Sequence, residues 1–336
     1  MILPFDILLA IRFDAMFRGL PSVNDFSEQQ LIDYITQWLR QINPVCPEGI
    51  GDDCAVHSPD PETKQIITSD ALVFGQHFDQ TLSAQQAGAK LVNRNLSDIA
   101  AMGGIPDRAI LNLMVGPDLE LDWLKNFFIG LEAAAIRVCL KIVGGDICRL
   151  EPRCFSSVLT LIGTAKFPLL RGNAQRGDAI YVTGDLGGSL LGKHATFTPR
   201  LAEGQWLAET GYCTALMDLT DGLAKDLPSL LTGEQSARLN LSSIPVSADA
   251  HLTANRSGLS ALEHAFCDGE DYELLFSIAA KTPVPDFVTL WKRAFPNLRI
   301  SHIGQIDEPN DQGKIINAAD GSALPFIQGF EHFRKS

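Results

Sequence analysis

Basic residues are scarce in this 336-residue chain: 27 lysines and arginines stand against 40 acidic side chains, a net charge of −13. Such a surface repels nucleic acid and anionic membrane, which argues against polyanion binding as the main task. An anionic substrate then has to be met by local arginines or by bound metal. The chain also lacks any C-x-x-C pair. Its seven cysteines (Cys46, Cys54, Cys139, Cys148, Cys154, Cys213 and Cys267) are scattered and odd in number. That argues against a zinc cage or a disulfide framework and fits reduced thiols in the cytoplasm. No low-complexity tract or short-period repeat occurs. The opening MILPFDILLAIRFDAMFRGL is apolar but interrupted by Asp6, Arg12 and Asp14, with no basic leader. Residues 1–25 are read as an N-terminal extension of amphipathic character, not as a signal peptide or membrane span.

What is present is a hydrophobic content of 46%, ordinary for a globular protein, on a chain longer than one core usually serves. Two domains are expected, at 26–168 and 169–336, with the boundary in the Pro-, Gly- and Arg-rich stretch KFPLLRGNAQRG. Helices are expected at SEQQLIDYITQWL behind a Ser27 cap, over Ser83–Met102, and at LDWLKNFFIGLEAAAIRVC. Strands are expected at KQIITSDALVF, RAILNLMVG, LKIVGGD and SSVLTLIGTA, and again from Ala179 to Thr183. The alternation of strands and helices indicates an α/β fold with some α+β character in its layers.

Acids recur where structure usually disfavours them. GIGDDCAV places Asp52 and Asp53 side by side after a glycine turn, and Asp70 interrupts a β-branched strand. Asp98 and Asn95 break the apolar stripe of a helix, and a buried acid needs a proton, a partner or a metal. Asp146 closes KIVGGD, at what reads as the carboxyl end of a strand. Asp218 and Asp221 flank Thr220 at an expected helix N-terminus, and Glu270 and Asp271 emerge from a glycine turn. Repeated in this way, the pattern indicates a hard-cation site, and magnesium is the cation that shares carboxylates with substrate phosphates. GGSLLGKH, by contrast, nearly spells a phosphate loop. Gly187, Gly192 and Lys193 fit it, but His194 replaces the hydroxyl that would hold magnesium, and the segment is read as a turn into a packed helix.

Taken in order, GIGDDCAV, ITSDALVFGQHF, NRNLSDIAAMGG, IVGGDICR, RGDAIYVTG, TPRLAEGQWL, MDLTDGLAKDL and DGEDYELLF resemble thiamine-monophosphate kinase, of the superfamily of aminoimidazole ribonucleotide synthetase and selenophosphate synthetase. The resemblance spans roughly residues 26 to 333. It implies the two-domain fold of aminoimidazole ribonucleotide synthetase, a cytoplasmic homodimer paired through its N-terminal domains, and ATP bound near the dimer interface. The implied reaction is direct transfer of the γ-phosphoryl of ATP to thiamine monophosphate, with no phospho-enzyme. By the same resemblance, Asp53, Thr68, Ser69, Asp70, Asp98, Asp146, Asp218 and Asp221 hold magnesium. Gly145, Asp146, Arg171 and Thr220 meet ATP, while His77 and Glu270 meet the thiamine end. Either Phe326 or Phe330 stacks on the thiamine. Thr220 stands where serine is common, and Asp268-Gly269 where two glycines are usual. Two other readings stay open: a superfamily enzyme with a different acceptor, and a non-catalytic metal- or nucleotide-binding subunit.

Overall fold

The computed structural model describes residues 16, 21–45, 50, 60–324 and 329. Asp53, Phe326 and Phe330 lie outside the described residues. The chain divides into two compact units, Met1–Leu96 with Pro106–Thr164, and Ser97–Ile105 with Ala165–Ser336.

In the first unit, α1 (Glu28–Trp38) starts at Ser27. The Ser27 hydroxyl accepts from the Gln30 N–H, and the Gln30 side chain accepts from the Ser27 N–H, so two of the amides left open at a helix start are satisfied reciprocally. Strand β1 (Lys64–Val73), helix α2 (Ala84–Ala101), strand β2 (Ile105–Val115), helix α3 (Leu121–Ile136) and strands β3 (Lys141–Arg149) and β4 (Phe155–Ala165) follow. The four strands form one sheet in the order β1-β4-β2-β3. Ala109, Leu111, Leu113 and Val115 of β2 are buried, as are Phe155, Leu159 and Leu161 of β4. This period of two marks a sheet with one covered face. The intervening positions are more open, and Ile110 is an exposed one. Helices α2 and α3 touch backbone to backbone: a Cβ added at Gly88 would lie 2.0 Å from the Phe127 carbonyl oxygen, and one at Gly130 would lie 1.9 Å from that of Gln85.

Strand β3 departs from the expectation. It does not end at the glycine pair but continues through Gly144, Gly145 and Asp146 to Arg149, in parallel register with β2. A Cβ at Gly145 would fall 1.8 Å from the Leu111 carbonyl oxygen. The glycine therefore lets two strands approach at an irregular register, between Ala109 and Ile110, and does not turn the chain. Asp146 is accordingly a mid-strand residue.

The second unit is built on a six-stranded sheet. Its elements are β5 (Ala179–Thr183), α4 (Lys193–Thr196), α5 (Leu201–Thr210), β6 (Cys213–Asp218), α6 (Leu223–Asp226), β7 (Ser236–Leu239), α7 (Ala248–Ser257), α8 (Ala261–Cys267), β8 (Leu274–Ile278), α9 (Val284–Ala294), β9 (Ile300–Asp307) and β10 (Ile315–Asn317). The strand order is β10-β7-β9-β5-β8-β6. Alternation along β5 sends Ile180 and Val182 into one core with Met217, Leu223, Leu275 and Phe266. Tyr181 goes to the other, with Leu207, Phe276, Phe287 and Trp291. Every residue of β8 is buried, as a central strand covered on both faces requires. The end of α2 joins this unit: a Cβ at Gly204 of α5 would lie 2.1 Å from the Ala100 carbonyl oxygen.

Candidate active site

In the first unit, the expected metal and nucleotide residues lie on the two outer strands. Thr68, Ser69 and Asp70 are on β1; Gly145 and Asp146 are on β3. Asp70 shares its strand face with the fully buried Leu72 and turns toward α2. Its backbone N–H donates to Asn95 Oδ1 at 3.1 Å, and its carboxylate lies 3.5 Å from Arg94 Nε. Asn95, fully buried, also donates from its amide nitrogen to the Leu91 carbonyl oxygen. The polar break in the α2 stripe thus ties the helix to β1. Ser69 faces the other way, 2.9 Å from the Thr160 hydroxyl. Asp146 pairs in register with Asn112, whose neighbours Leu111 and Leu113 point into the core, so Asp146 lies on the face away from the helices. Asp70 and Asp146 therefore occupy opposite edges and opposite faces of the sheet, three strand spacings or about 14 Å apart. One sheet does not bring them together.

Beyond β1 the chain turns at Gly75, whose φ is 83°. His77 folds back, its Nδ1 accepting from the Val73 N–H at 3.0 Å. A ring nitrogen that accepts carries no proton, so the proton of the neutral ring is on Nε2.

In the second unit the expected residues converge. Asp218 ends β6 almost fully buried and accepts from the Ser97 hydroxyl at 2.6 Å. Asp98, half-buried, is the next residue on the last turn of α2. The Thr220 carbonyl oxygen accepts from the Glu270 N–H at 2.7 Å, which fastens the MDLTDG and DGED turns to one another. The helix α6 that follows has Gly222 as its N-cap, a residue with no side chain to close it. Asp226, which sequence reading did not single out, organises the turn: one carboxylate oxygen accepts from the Thr220 and Asp221 N–H groups at 2.9 and 3.0 Å. Burial pushes the pKa of Asp226 up to about 6. Asp221 itself pairs with Lys225 at 2.8 Å. Arg171 lies exposed in a single 3₁₀ turn, Arg171–Asn173.

The segment from Asp268 to Glu273 does not run straight into a strand. Glu270 and Tyr272 have φ of 53° and 50°, a left-handed conformation costly for residues with a Cβ and held only by surrounding structure. What holds it is the GGSLLGKH segment, the near-match to a phosphate loop. Asp268 accepts from the Gly188 N–H at 2.9 Å, and Asp271 accepts from the Gly187 N–H and the Ser189 hydroxyl at 2.8 and 2.7 Å. Glu270 Oε2 lies 3.2 Å from His194 Nδ1. Glu273, 1% exposed, accepts two hydrogen bonds of 2.7 Å from Arg200 and one of 2.7 Å from Thr183, with Lys193 Nζ at 2.9 Å. The glycine amides that could cradle a phosphate are occupied by the chain's own carboxylates, and the lysine is committed to Glu273.

Burial and charged partners act in opposite directions on these acids. Burial raises the pKa of Asp271, fully buried, to about 6. For Glu273 burial acts in the same direction, but the Arg200 hydrogen bonds and the Lys193 and Arg200 charges outweigh it and hold the carboxyl below its ordinary value. Among the described residues, no three histidine, cysteine or acidic side chains form a ready metal cluster. The expected donors Thr68, Ser69, Asp70, Asp98, Asp146, Asp218 and Asp221 nonetheless offer oxygen alone, the donor chemistry of magnesium and calcium.

Comparison with known proteins supplies the family. Residues 51–165 match the model of AIR synthase related protein, N-terminal domain. The thiamine-monophosphate kinase of Rhodopirellula baltica is 33% identical over 314 residues, 91% of this chain and 97% of that protein. The Escherichia coli enzyme of the same name is 33% identical across 68% of this chain and 76% of its own length. Among solved structures, thiamine-monophosphate kinase from Stenotrophomonas maltophilia superposes with a TM-score of 0.72 at 29% identity, covering 89% of this chain and 98% of that one. AaThiL complexed with AMPPCP and TMP superposes at 0.70 and 26% identity, covering 92% and 98%. Hydrogenase maturation protein HypE in complex with ATP, at 17% identity and a TM-score of 0.70 over 89% of this chain and 96% of that one, shares the fold. Identity of one third sustained along nearly the whole chain, on a reproduced fold, places this protein in the thiamine-monophosphate kinase family.

Proposed function

We propose that this protein transfers the γ-phosphoryl group of ATP directly to the phosphate of thiamine monophosphate, giving thiamine diphosphate and ADP. The carrying observation is the full-length match to thiamine-monophosphate kinases, together with a structural neighbour that holds AMPPCP and TMP. Phosphoryl transfer asks mainly for positioning and charge neutralisation, and the acids described above supply oxygen donors for hard cations. Asp53, Thr68, Ser69, Asp70, Asp98, Asp146, Asp218 and Asp221 would hold magnesium ions. Bound there, magnesium supplies the positive charge that brings two polyanions together on a protein of net charge −13.

The remaining tasks fall to the chain itself. The exposed Arg171 adds a cation for ATP, the Thr220 hydroxyl donates to it, and the exposed Gly145 meets it through its backbone. At the acceptor end, the His77 Nε2–H donates and the Glu270 carboxylate accepts, with Phe326 or Phe330 stacking on the ring. The domains acting in this way are the chain's 26–168 and 169–336 portions, after the 1–25 extension. A homodimer formed through the first domain is supported by its sheet, in which β1 and β3 are the outer strands among the described residues, and by exposed Ile67, Ile105 and Ile110 on β1 and β2. Joining two such sheets edge to edge also provides a way for carboxylates on opposite edges to serve one site. A cytoplasmic location is supported by the scattered, odd-numbered cysteines of the sequence, which fit reduced thiols; no helix among the described residues is long and apolar enough to cross a membrane.

Incubation of the protein with magnesium, thiamine monophosphate and γ-labelled ATP tests the reading. Thiamine diphosphate and ADP are expected in equal amounts, with label in the product and none on the protein, and free thiamine should be a poor acceptor. A stable phospho-enzyme would overturn direct transfer. ADP and free phosphate without thiamine diphosphate would point to a different acceptor.

A further inference from the structure

His194 is the residue that breaks the phosphate-loop pattern, and the folded unit gives it another task. Its side chain is 11% exposed, and Nδ1 lies 3.2 Å from Glu270 Oε2. The Tyr272 hydroxyl donates to the other oxygen of the same carboxylate at 3.4 Å. The Tyr272 ring lies flat on Phe197, with centroids 3.8 Å apart and planes 8° from parallel. His194 belongs to the one-turn helix α4, and Phe197 is the residue that ends it. One short helix thus supplies both a hold on Glu270 and a platform for Tyr272. Both acid-loop residues have left-handed backbones, which persist only where the surroundings over-determine them. The Glu270 side chain is 21% exposed, so its carboxylate reaches the surface of the unit while being held from the side.

We propose that His194 is a positioning residue for Glu270. Donating through Nδ1, it fixes the carboxylate in the direction from which it accepts a hydrogen bond from the amino-bearing ring of the acceptor. The inference rests on the reading of Glu270 as an acceptor contact given above. It assigns His194 to acceptor affinity alone: neither ATP nor the transferred phosphoryl group is touched. A carboxylate freed to rotate loses a charge-assisted hydrogen bond made equally in the ground and transition states, and such a loss appears in KM and not in kcat.

The test is steady-state kinetics on the full chain, with ATP and thiamine monophosphate varied separately. His194→Ala is expected to raise KM for thiamine monophosphate about tenfold, while kcat and KM for ATP stay within about twofold. His194→Asn places an amide nitrogen near the Nδ1 position and should recover most of the loss. In a Glu270→Gln background, His194→Ala should add nothing further. Should His194→Ala fail to fold, His194→Phe keeps the ring packing without the donor and takes its place. A kcat loss at unchanged KM, full additivity with Glu270→Gln, or no recovery in His194→Asn would each overturn the proposal. A wild type that makes thiamine diphosphate, beside a His194→Ala variant with unmoved KM, overturns the positioning role alone. A wild type that makes none overturns the acceptor reading and this inference together.

Discussion

Asp146 is exposed in mid-strand on the edge of the first unit's sheet, with the Cys148 sulfur at 3.7 Å as its neighbour, and Asp70 has an arginine at 3.5 Å. Asp271 and Glu273 of the second unit are sealed from solvent and take hydrogen bonds from backbone, hydroxyl and guanidinium donors. Both pairs look alike as sequence, acids close to a glycine and to a β-branched or apolar run. The contrast separates two uses of a carboxylate. One kind is bonded inward and shapes a loop; the other stands on a rigid strand with few partners, and at Asp146 it is presented outward, where a cation or substrate can reach it. The GGSLLGKH segment shows how far the first use goes, because two protein carboxylates occupy the glycine amides that a nucleotide would otherwise claim.

The contrast can be broken most severely at Glu273. Glu273→Ala leaves Arg200 and Lys193 without their buried counter-charge and should cost about 3–5 kcal/mol of stability, read from urea unfolding of the full chain. A loss below about 1 kcal/mol would remove the distinction between inward and outward acids. Next in size is Asp98→Asn. If Asp98 is one of the presented acids, turnover should fall roughly 10²–10³-fold, with the melting temperature held, because relieving like-charge crowding does not destabilise. Activity near wild type at limiting magnesium would sink its place among the metal donors.

Asp271 sharpens the comparison through pH. Its folded pKa, about 6, stands above the ordinary 3.8, so the folded state holds the proton more tightly than the unfolded chain. Its contribution to stability is present in full below about pH 4, is lost as pH rises toward 6, and is level beyond, a change of about 3 kcal/mol. Asp271→Asn cannot titrate, and unfolding free energies of the two proteins measured from pH 4 to 7 should diverge by that amount. Parallel curves would show that Asp271 is not desolvated. The smallest expected effect is at Lys193. Since its ammonium serves Glu273 and the Asp185 carbonyl oxygen, Lys193→Ala should change ATP affinity by less than about twofold, measured by calorimetry. A true phosphate-loop lysine would show a severe loss.

Local pattern carried much of this structure. The β-branched run of β1, the alternation along β2 and the Ser27 cap of α1 were legible because each rests on residues a few positions apart. Strand β3 was misread at Gly144-Gly145. There the glycines serve a close approach to Leu111 from a strand thirty residues away, and no local rule reports that. The same limit hid the edge positions of Asp70 and Asp146, since strand order is set by long-range pairing. Asp226, Arg200, Asp271 and Glu273 were missed as loop-shaping residues for a related reason. A buried acid is identified by its donors, and for Glu273 these lie at Thr183, Lys193 and Arg200, on the far side of 70 or more residues of chain. What did signal trouble in advance was the accumulation of acids itself, and the histidine that spoiled an otherwise good phosphate loop.

The strand order of the six-stranded sheet has a consequence for synthesis on the ribosome. Strand β5 lies between β9 and β8, and among the described residues β6 pairs with β8 alone. Both early strands therefore emerge well before any partner exists, because the first residue of β8 is Leu274. At about 5–20 residues per second, the roughly ninety residues from Thr183 to Leu274 keep β5 waiting for about 5–20 s. Through that interval Ile180, Tyr181 and Val182 are an unpaired apolar strand, a template for mispairing that a nascent chain has to survive. Ribosome-bound chains stalled before Leu274 should be cut by protease around β5 and β6, and chains stalled after β9 has emerged should resist.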